Sequence, residues 1–226
     1  MILYFTKPVK ENREAMQHRH GVGCIVTAFT GGHKPHGSIW CVDNGCFAPE
    51  RWDEDVWWKH LVKMSTRGVE LCIFASAPDV VGDAQATLDR SRPWLPRIRD
   101  LGYPVAFVFQ YGFDNIEVPW DSFDVLFIGG GDRGGHGSAN FKFGTVAAAA
   151  VNEARARGKW VHYGRVNSLS RMRNVEAMGA QSADGTLSAF APENNSRKLD
   201  GWVKRMQHEP PMFNLHNNNQ EAPCEP

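Results

Sequence analysis

The sequence predicts an α/β fold, a parallel (β/α)8 barrel of the TIM type, on three observations. Short, continuously apolar runs recur along the chain, helical patterns separate the later ones, and eight such runs can be distinguished. Continuous apolar runs suit strands covered on both faces, as in a parallel sheet. Helices between successive parallel strands make right-handed crossovers. Eight strands are the number that closes a barrel around a filled interior. An open doubly wound sheet is the alternative arrangement of the same pattern.

The runs fall at residues 2–5, 24–29, 39–42, 69–75, 105–109, 125–128 and 160–163, with a weaker one at 180–183. The first three are joined without evident helices, so the early part of the barrel is expected to be irregular. Residues 53–64 place Val56, Trp57, His60, Leu61 and Met64 on one helical face. The tryptophans around Trp52, Trp57 and Trp58 are expected to pack that helix. Residues 82–101 contain Pro93 and Pro96, which predict a broken or kinked helix. Residues 144–157 are alanine-rich and helix-forming. Residues 168–178 open on Ser168, a good cap, and are followed by Gly179. A last amphipathic helix is expected over 199–206.

With 226 residues, 42% hydrophobic and 22% charged, the chain fits one barrel domain, residues 1–206. Residues 207–226 are Asn-, Pro- and Glu-rich and read as an extended or disordered tail. The formal net charge is zero, whereas a general polyanion binder is usually basic. Nucleic-acid contact would need a local basic patch, for which Arg165, Arg171 and Arg173, and then Lys198, Lys204 and Arg205, are the candidates. The five cysteines are odd in number and lack CxxC spacing. Cys24, Cys41 and Cys72 lie in strand-like runs and read as reduced core thiols of an intracellular protein. No signal-peptide pattern or membrane-length run is present, so a cytoplasmic protein with no membrane partner is expected. The nine histidines, among them His18, His20, His33 and His36, match no metal-site spacing. No metal and no cofactor are expected, and oligomeric state stays open.

In parallel α/β folds the site lies beyond the C-terminal ends of the strands. The residues just after the runs are Asp43, Asp79, Gln110, the glycines at 129–131, Arg165 and Asp184. Each acid taken singly could be a turn or cap residue. Together they put three acids, an amide and a glycine-rich loop on one rim. Asp83, four residues beyond Asp79, is a second candidate there, with capping of the next helix as its structural role.

Several of these segments resemble the tRNA-guanine transglycosylase superfamily. CVDNGCF, residues 41–47, is similar to the family's Asp-Ser-Gly-Gly-Phe motif, with Asn44 and Cys46 replacing the Ser and the second Gly. The resemblance implies acid–base chemistry for Asp43 and stacking on the exchanged base for Phe47. FVFQYG, residues 107–112, resembles the strand whose amide reads the base edge, a role that falls on Gln110. FIGG, residues 127–130, resembles the family's Ile-Gly-Gly, which makes Gly129 and Gly130 backbone contacts to the base. Asp79, or Asp83, occupies the place of the base-recognising acid. The stretch from Trp160 to Asp184 resembles the late barrel segment that ends in a nucleophilic aspartate, here Asp184.

The resemblance covers roughly residues 37 to 190, and two of the family's parts are missing. The zinc-binding Cys cluster is absent, and Gly185, Thr186 and Leu187 stand where a basic stretch follows the nucleophile. These departures point away from a tRNA enzyme and toward the short phage branch that acts on DNA, in a host cytoplasm. The implied partners are DNA and a 7-deazaguanine base such as the 7-cyano form. Two other readings stand beside base exchange. One is hydrolysis of an N-glycosidic bond by the same carboxylates. The other is a non-catalytic nucleic-acid-binding barrel or docking subunit. The glycine loop alone would also suit a phosphate-binding metabolic barrel.

Overall fold

The computed structural model describes residues 2–17, 21–29, 36–129 and 141–208. Eight parallel strands close in chain order: β1 Leu3–Thr6, β2 Val22–Val26, β3 Trp40–Val42, β4 Cys72–Ser76, β5 Val105–Phe109, β6 Val125–Ile128, β7 Trp160–Tyr163 and β8 Ser182–Asp184. β8 pairs with both β7 and β1, which shuts the ring. The helices are α1 Arg13–Gln17, α2 Glu54–Ser65, α3 Ala84–Ser91, α4 Trp94–Asp100, α5 Thr145–Ala156, α6 Leu169–Ala177 and α7 Pro192–His208. The barrel, and not the open sheet, is therefore the fold.

Alternation along each strand splits the core into two layers, since successive side chains point to opposite faces. Phe5, Cys41, Phe74, Ala106, Val108, Val125 and Phe127 fill the barrel interior. Their neighbours Tyr4, Trp40, Val42, Phe107, Phe109, Leu126 and Tyr163 face the helices. Burial on both faces is what made these strands read as unbroken apolar runs. The pairing of β3 with β4 shifts register between Trp40 and Val42, and the connection from β1 to β2, where no helix is expected, carries the short α1.

The local signals operate as expected in most places. Asp53 caps α2 by accepting from the Val56 N–H at 2.9 Å, and Ser168 caps α6 by accepting from that of Arg171 at 3.2 Å. Gly179, at φ 98°, ends α6 in the left-handed region. The 82–101 segment breaks at Arg92 and Pro93 into α3 and α4. Pro96 is tolerated because it lies in the first turn of α4, where no intrahelical N–H is needed. Several boundaries need correction: β2 is Val22–Val26 and not 24–29, since residues 27–29 leave the strand in a turn, and β8 is Ser182–Asp184 and not 180–183. β4 begins at Cys72 and not at 69, because Leu71 takes a left-handed φ of 63° that no strand continues through. The last helix starts at Pro192, whose fixed φ suits a first turn, and runs past the expected boundary at 206 to His208. Residues 209–226 of the expected tail lie outside the described residues, as do His18, His20, His33, Gly130 and Gly131.

The tryptophans do pack helices. Trp57 is fully buried, with its ring perpendicular to that of Trp94 at 5.0 Å, and Trp58 lies 5.1 Å from Trp94. Arg97 covers Trp94 at 4.0 Å, which seals the α2–α4 seam from outside. The indole N–H of Trp57 is buried without a hydrogen-bond partner. Trp57→Ala should therefore cost about 3–5 kcal/mol of stability by opening a cavity. Trp57→Phe should cost only ~1 kcal/mol, because it also removes an unsatisfied donor. Urea denaturation of the two variants measures both values, and equal losses would contradict this account.

Candidate functional site

The inward side chains continue past the strand ends into a cavity of about 370 Å3 at the C-terminal mouth. Cys41 is followed on the same face by Asp43, Val108 by Gln110, Phe127 by Gly129, His162 by Gly164 and Ser182 by Asp184. Asp43, Asp79, Gln110, Gly129, Arg165, Asp184 and Phe47 all line it, together with Asn44, Arg51 and Lys142. The size suits one small heterocycle and part of its attached group.

Asp184 is held on both carboxylate oxygens. Its Oδ1 accepts from the backbone N–H of Arg165 at 3.0 Å, and its Oδ2 lies 3.0 Å from Nε2 of His162. Arg165 presents that N–H from a left-handed φ of 57°, an uncommon conformation for a residue with a Cβ. Gly164 keeps the approach open, since a Cβ there would stand 3.4 Å from Oδ2 and collide with the Phe127 ring.

Asp43 is part-buried on the cavity floor. Burial, and then the nearby carboxylates of Asp184 and Asp79, push its carboxyl up to about 7, against the backbone N–H groups of Gly45 and Asn44. An acid poised there can give and take a proton near neutral pH.

Asp79 is buried and internally satisfied. Asn44 donates to its Oδ1 at 3.0 Å and Gln110 donates to its Oδ2 at 2.5 Å. Burial raises its pKa, and those two hydrogen bonds oppose the rise. Gln110 also accepts from the backbone N–H of Gly82 at 3.0 Å, so its amide oxygen is already engaged. One amide hydrogen of Gln110 is left for a ligand. The amide expected to read a base edge is thus chiefly a clamp on Asp79.

Phe47 is 39% exposed, which excludes core packing as its role. The Arg165 guanidinium stacks on its ring at 4.3 Å and carries a buried Nη1 with no hydrogen-bond partner. Together they form a flat, cationic and aromatic wall at the mouth.

Some candidates lie elsewhere. Asp83 is exposed and caps α3 by accepting from the Ala86 N–H at 2.9 Å, outside the cavity. Lys204 and Arg205 are exposed on the second half of α7, where Val203 packs on Gly21 just before β2. That is the N-terminal end of the barrel, opposite the cavity. Lys204 is paired with Asp200 at 2.7 Å, and Lys198 lies over Trp202. The α7 cluster is therefore a solvated helix face away from the site. Arg171 and Arg173 belong to α6, with Arg171 in its first turn, near the mouth.

The sequence does not single out four residues at the site: Asn44, Arg51, Lys142 and His162. Asn44 stands out in sequence only as a departure from a motif. Lys142 is buried and donates to the Gly164 carbonyl at 2.8 Å. His162 sits within a strand that reads as apolar, and its even spacing from Gly164 was the available signal. Among the described residues no group of His, Cys, Asp and Glu could hold a metal ion, and no helix is long and apolar enough to cross a membrane.

Fold and mouth together define a (β/α)8 barrel with an acidic, aromatic-walled cavity. No protein-family model matches the sequence, and no curated protein matches it. Among solved structures, an N-acetylneuraminate lyase from Fusobacterium nucleatum is similar over 91% of this chain and 76% of its own, at 11% identity and a TM-score of 0.45. A mandelate oxidase variant with benzaldehyde is similar over 88% of this chain and 70% of its own, at 14% identity and a TM-score of 0.39. Likeness at this level concerns the barrel alone and says nothing about the reaction.

The raised Asp43 pKa has a consequence for stability. The folded value lies above the unfolded one, so between about pH 4 and 7 the native state holds the extra proton and stability falls as pH rises. Above that window the buried charge is fully present. Asp43→Asn removes it, and should melt a few degrees above the wild type at pH 8 and close to it at pH 4.5. Thermal melts at both pH values measure this. An unchanged or lower midpoint at pH 8 would contradict the assignment.

Proposed function

We propose that this protein is a transglycosylase that exchanges guanine in a nucleic acid, DNA, for a 7-deazaguanine base through a covalent Asp184–sugar intermediate. One observation carries the reading. Asp43, poised near neutral pH, and Asp184, held on both oxygens, share one cavity. Such a pair can divide acid–base and nucleophilic work.

In the first half-reaction a carboxylate oxygen of Asp184 bonds to the anomeric carbon of the sugar. The bond from that carbon to the guanine nitrogen breaks, and its electron pair leaves with the base. Protonated Asp43 gives its proton to the departing guanine. In the second half, Asp43 takes a proton from the incoming base, whose nitrogen bonds to the anomeric carbon and releases Asp184. The two steps resemble the double displacement of retaining glycosidases. Phe47 and Arg165 supply a wall for stacking the base, and the free N–H of Gln110 and the backbone at Gly129 supply its edge contacts. The acceptor's phosphates fall to Arg51, Arg165 and Arg171 around the mouth, and not to α7.

The test is a pair of variants assayed for labelled 7-deazaguanine incorporation into DNA and for a covalent adduct on denaturing gels. Asp184→Asn should lose incorporation on the order of a thousandfold or more and form no adduct, while still binding DNA. Asp43→Asn should slow turnover and let the adduct persist. Wild-type incorporation should peak near neutral pH, where both forms of Asp43 are populated. Undiminished incorporation by Asp184→Asn would reject the mechanism. Guanine release without incorporation would assign hydrolysis instead.

A further inference from the structure

His162 stands among the aromatic rings of the barrel interior. Its ring is fully buried and lies 4.6 Å from the ring of Phe127, 4.8 Å from Phe74 and 5.9 Å from Phe5. A buried imidazole needs partners on both nitrogens, and His162 has them. Nδ1 lies 2.8 Å from the Ser182 hydroxyl, and Nε2 lies 3.0 Å from Asp184. The indole N–H of Trp160 donates to the same hydroxyl at 2.7 Å.

We infer that Trp160, Ser182 and His162 form a directed hydrogen-bond chain that makes His162 the positioning residue for Asp184. The direction follows from counting hydrogens. An indole N–H can only donate, so the Ser182 oxygen accepts from Trp160. If the hydroxyl oxygen also accepted from an Nδ1–H, its own buried hydrogen would be left without an acceptor, so the hydroxyl gives that hydrogen to Nδ1. With Nδ1 an acceptor, the proton of the neutral ring is on Nε2, which donates to Oδ2 of Asp184. The reverse tautomer would set a bare Nε2 against a carboxylate oxygen, lone pair to lone pair. The pairing of β7 with β8 brings His162 opposite Ser182. Asp184 lies two residues on, on the same face, so the strand register itself builds the chain. With the Arg165 N–H on Oδ1, the carboxylate plane is fixed from below and from one side, leaving its free edge toward the cavity.

The kinetic consequence rests on the transglycosylase reading; the tautomer does not. Two measurements therefore keep the two apart. In wild-type protein with 15N-labelled histidine, NMR at pH 7 should show His162 protonated at Nε2 and bare at Nδ1. A proton on Nδ1 overturns the chain, whatever the activity. For kinetics, Ser182→Ala removes the hydroxyl while touching neither Asp184 nor the cavity. It should lower kcat about ten- to a hundredfold by loosening the carboxylate, with KM for the incoming base unchanged. His162→Leu, which suits the apolar surroundings, should lower kcat at least as far, and His162→Gln, which can still donate near the Nε2 position, should recover part of it. Ser182→Ala in the His162→Leu background should have no further effect, because both act through one link. Additive losses, or a KM effect without a kcat effect, would overturn the positioning role. If wild-type protein shows no base exchange but the NMR result holds, the function fails and the chain stands.

Discussion

The closure of the ring through β8 is the constraint on which the site depends. β8 has three residues, yet it pairs with β1 on one side and β7 on the other, with Phe5 opposite Asp184. Closure is fastened just beyond the strand: the Gly185 N–H donates to the Phe5 carbonyl at 3.1 Å, and the Tyr4 hydroxyl donates to the Val166 carbonyl at 2.8 Å. The register so set decides that Ser182 and Asp184 face inward. Ser182 then meets His162, and Asp184 meets the cavity. A shift of one residue would turn both toward the helices and remove the acid from the mouth.

The acids are gathered at a cost that the surrounding structure offsets unequally. Asp79 is satisfied by Asn44 and Gln110, and Arg90 donates to its carbonyl at 3.0 Å. Asp184 has a donor on each oxygen. Asp43 has backbone donors but also two carboxylate neighbours, and its pKa is driven up to about 7, while burial raises that of Asp79 as well. Three aspartates thus sit in three environments: Asp79 braced by side-chain amides, Asp184 held on both oxygens, and Asp43 buried beside two other carboxylates.

Much of this was legible in the sequence, for reasons that lie in particular residues. Strands buried on both faces announce themselves as apolar runs, so all eight were found, including the short one ending at Asp184. Strand ends point to the mouth, so Asp43, Gln110, Gly129, Arg165 and Asp184 were placed together correctly. Legibility ended where a role depends on a partner distant in sequence. Gln110 reads as a ligand-facing amide, and only the fold shows that Asp79 and the Gly82 N–H take its oxygen and one of its two amide hydrogens. His162 sits in a run that periodicity assigns to the core, and only the β7–β8 register reveals Asp184 beside it. The α7 cations form a convincing basic cluster in sequence, but Val203 against Gly21 places their end of the helix at the far side of the barrel. Local signals do not carry which end of an element faces a site.

The account turns on Asp184 as the atom donor to the sugar. The most direct measurement is peptide mapping by mass spectrometry of wild-type protein quenched during turnover with DNA and a 7-deazaguanine base. The expected result is a nucleotide-derived mass on the peptide containing Asp184, with fragment ions placing it on that side chain. An adduct on Asp43 or any other residue, or incorporation that proceeds with no adduct at all, would contradict it.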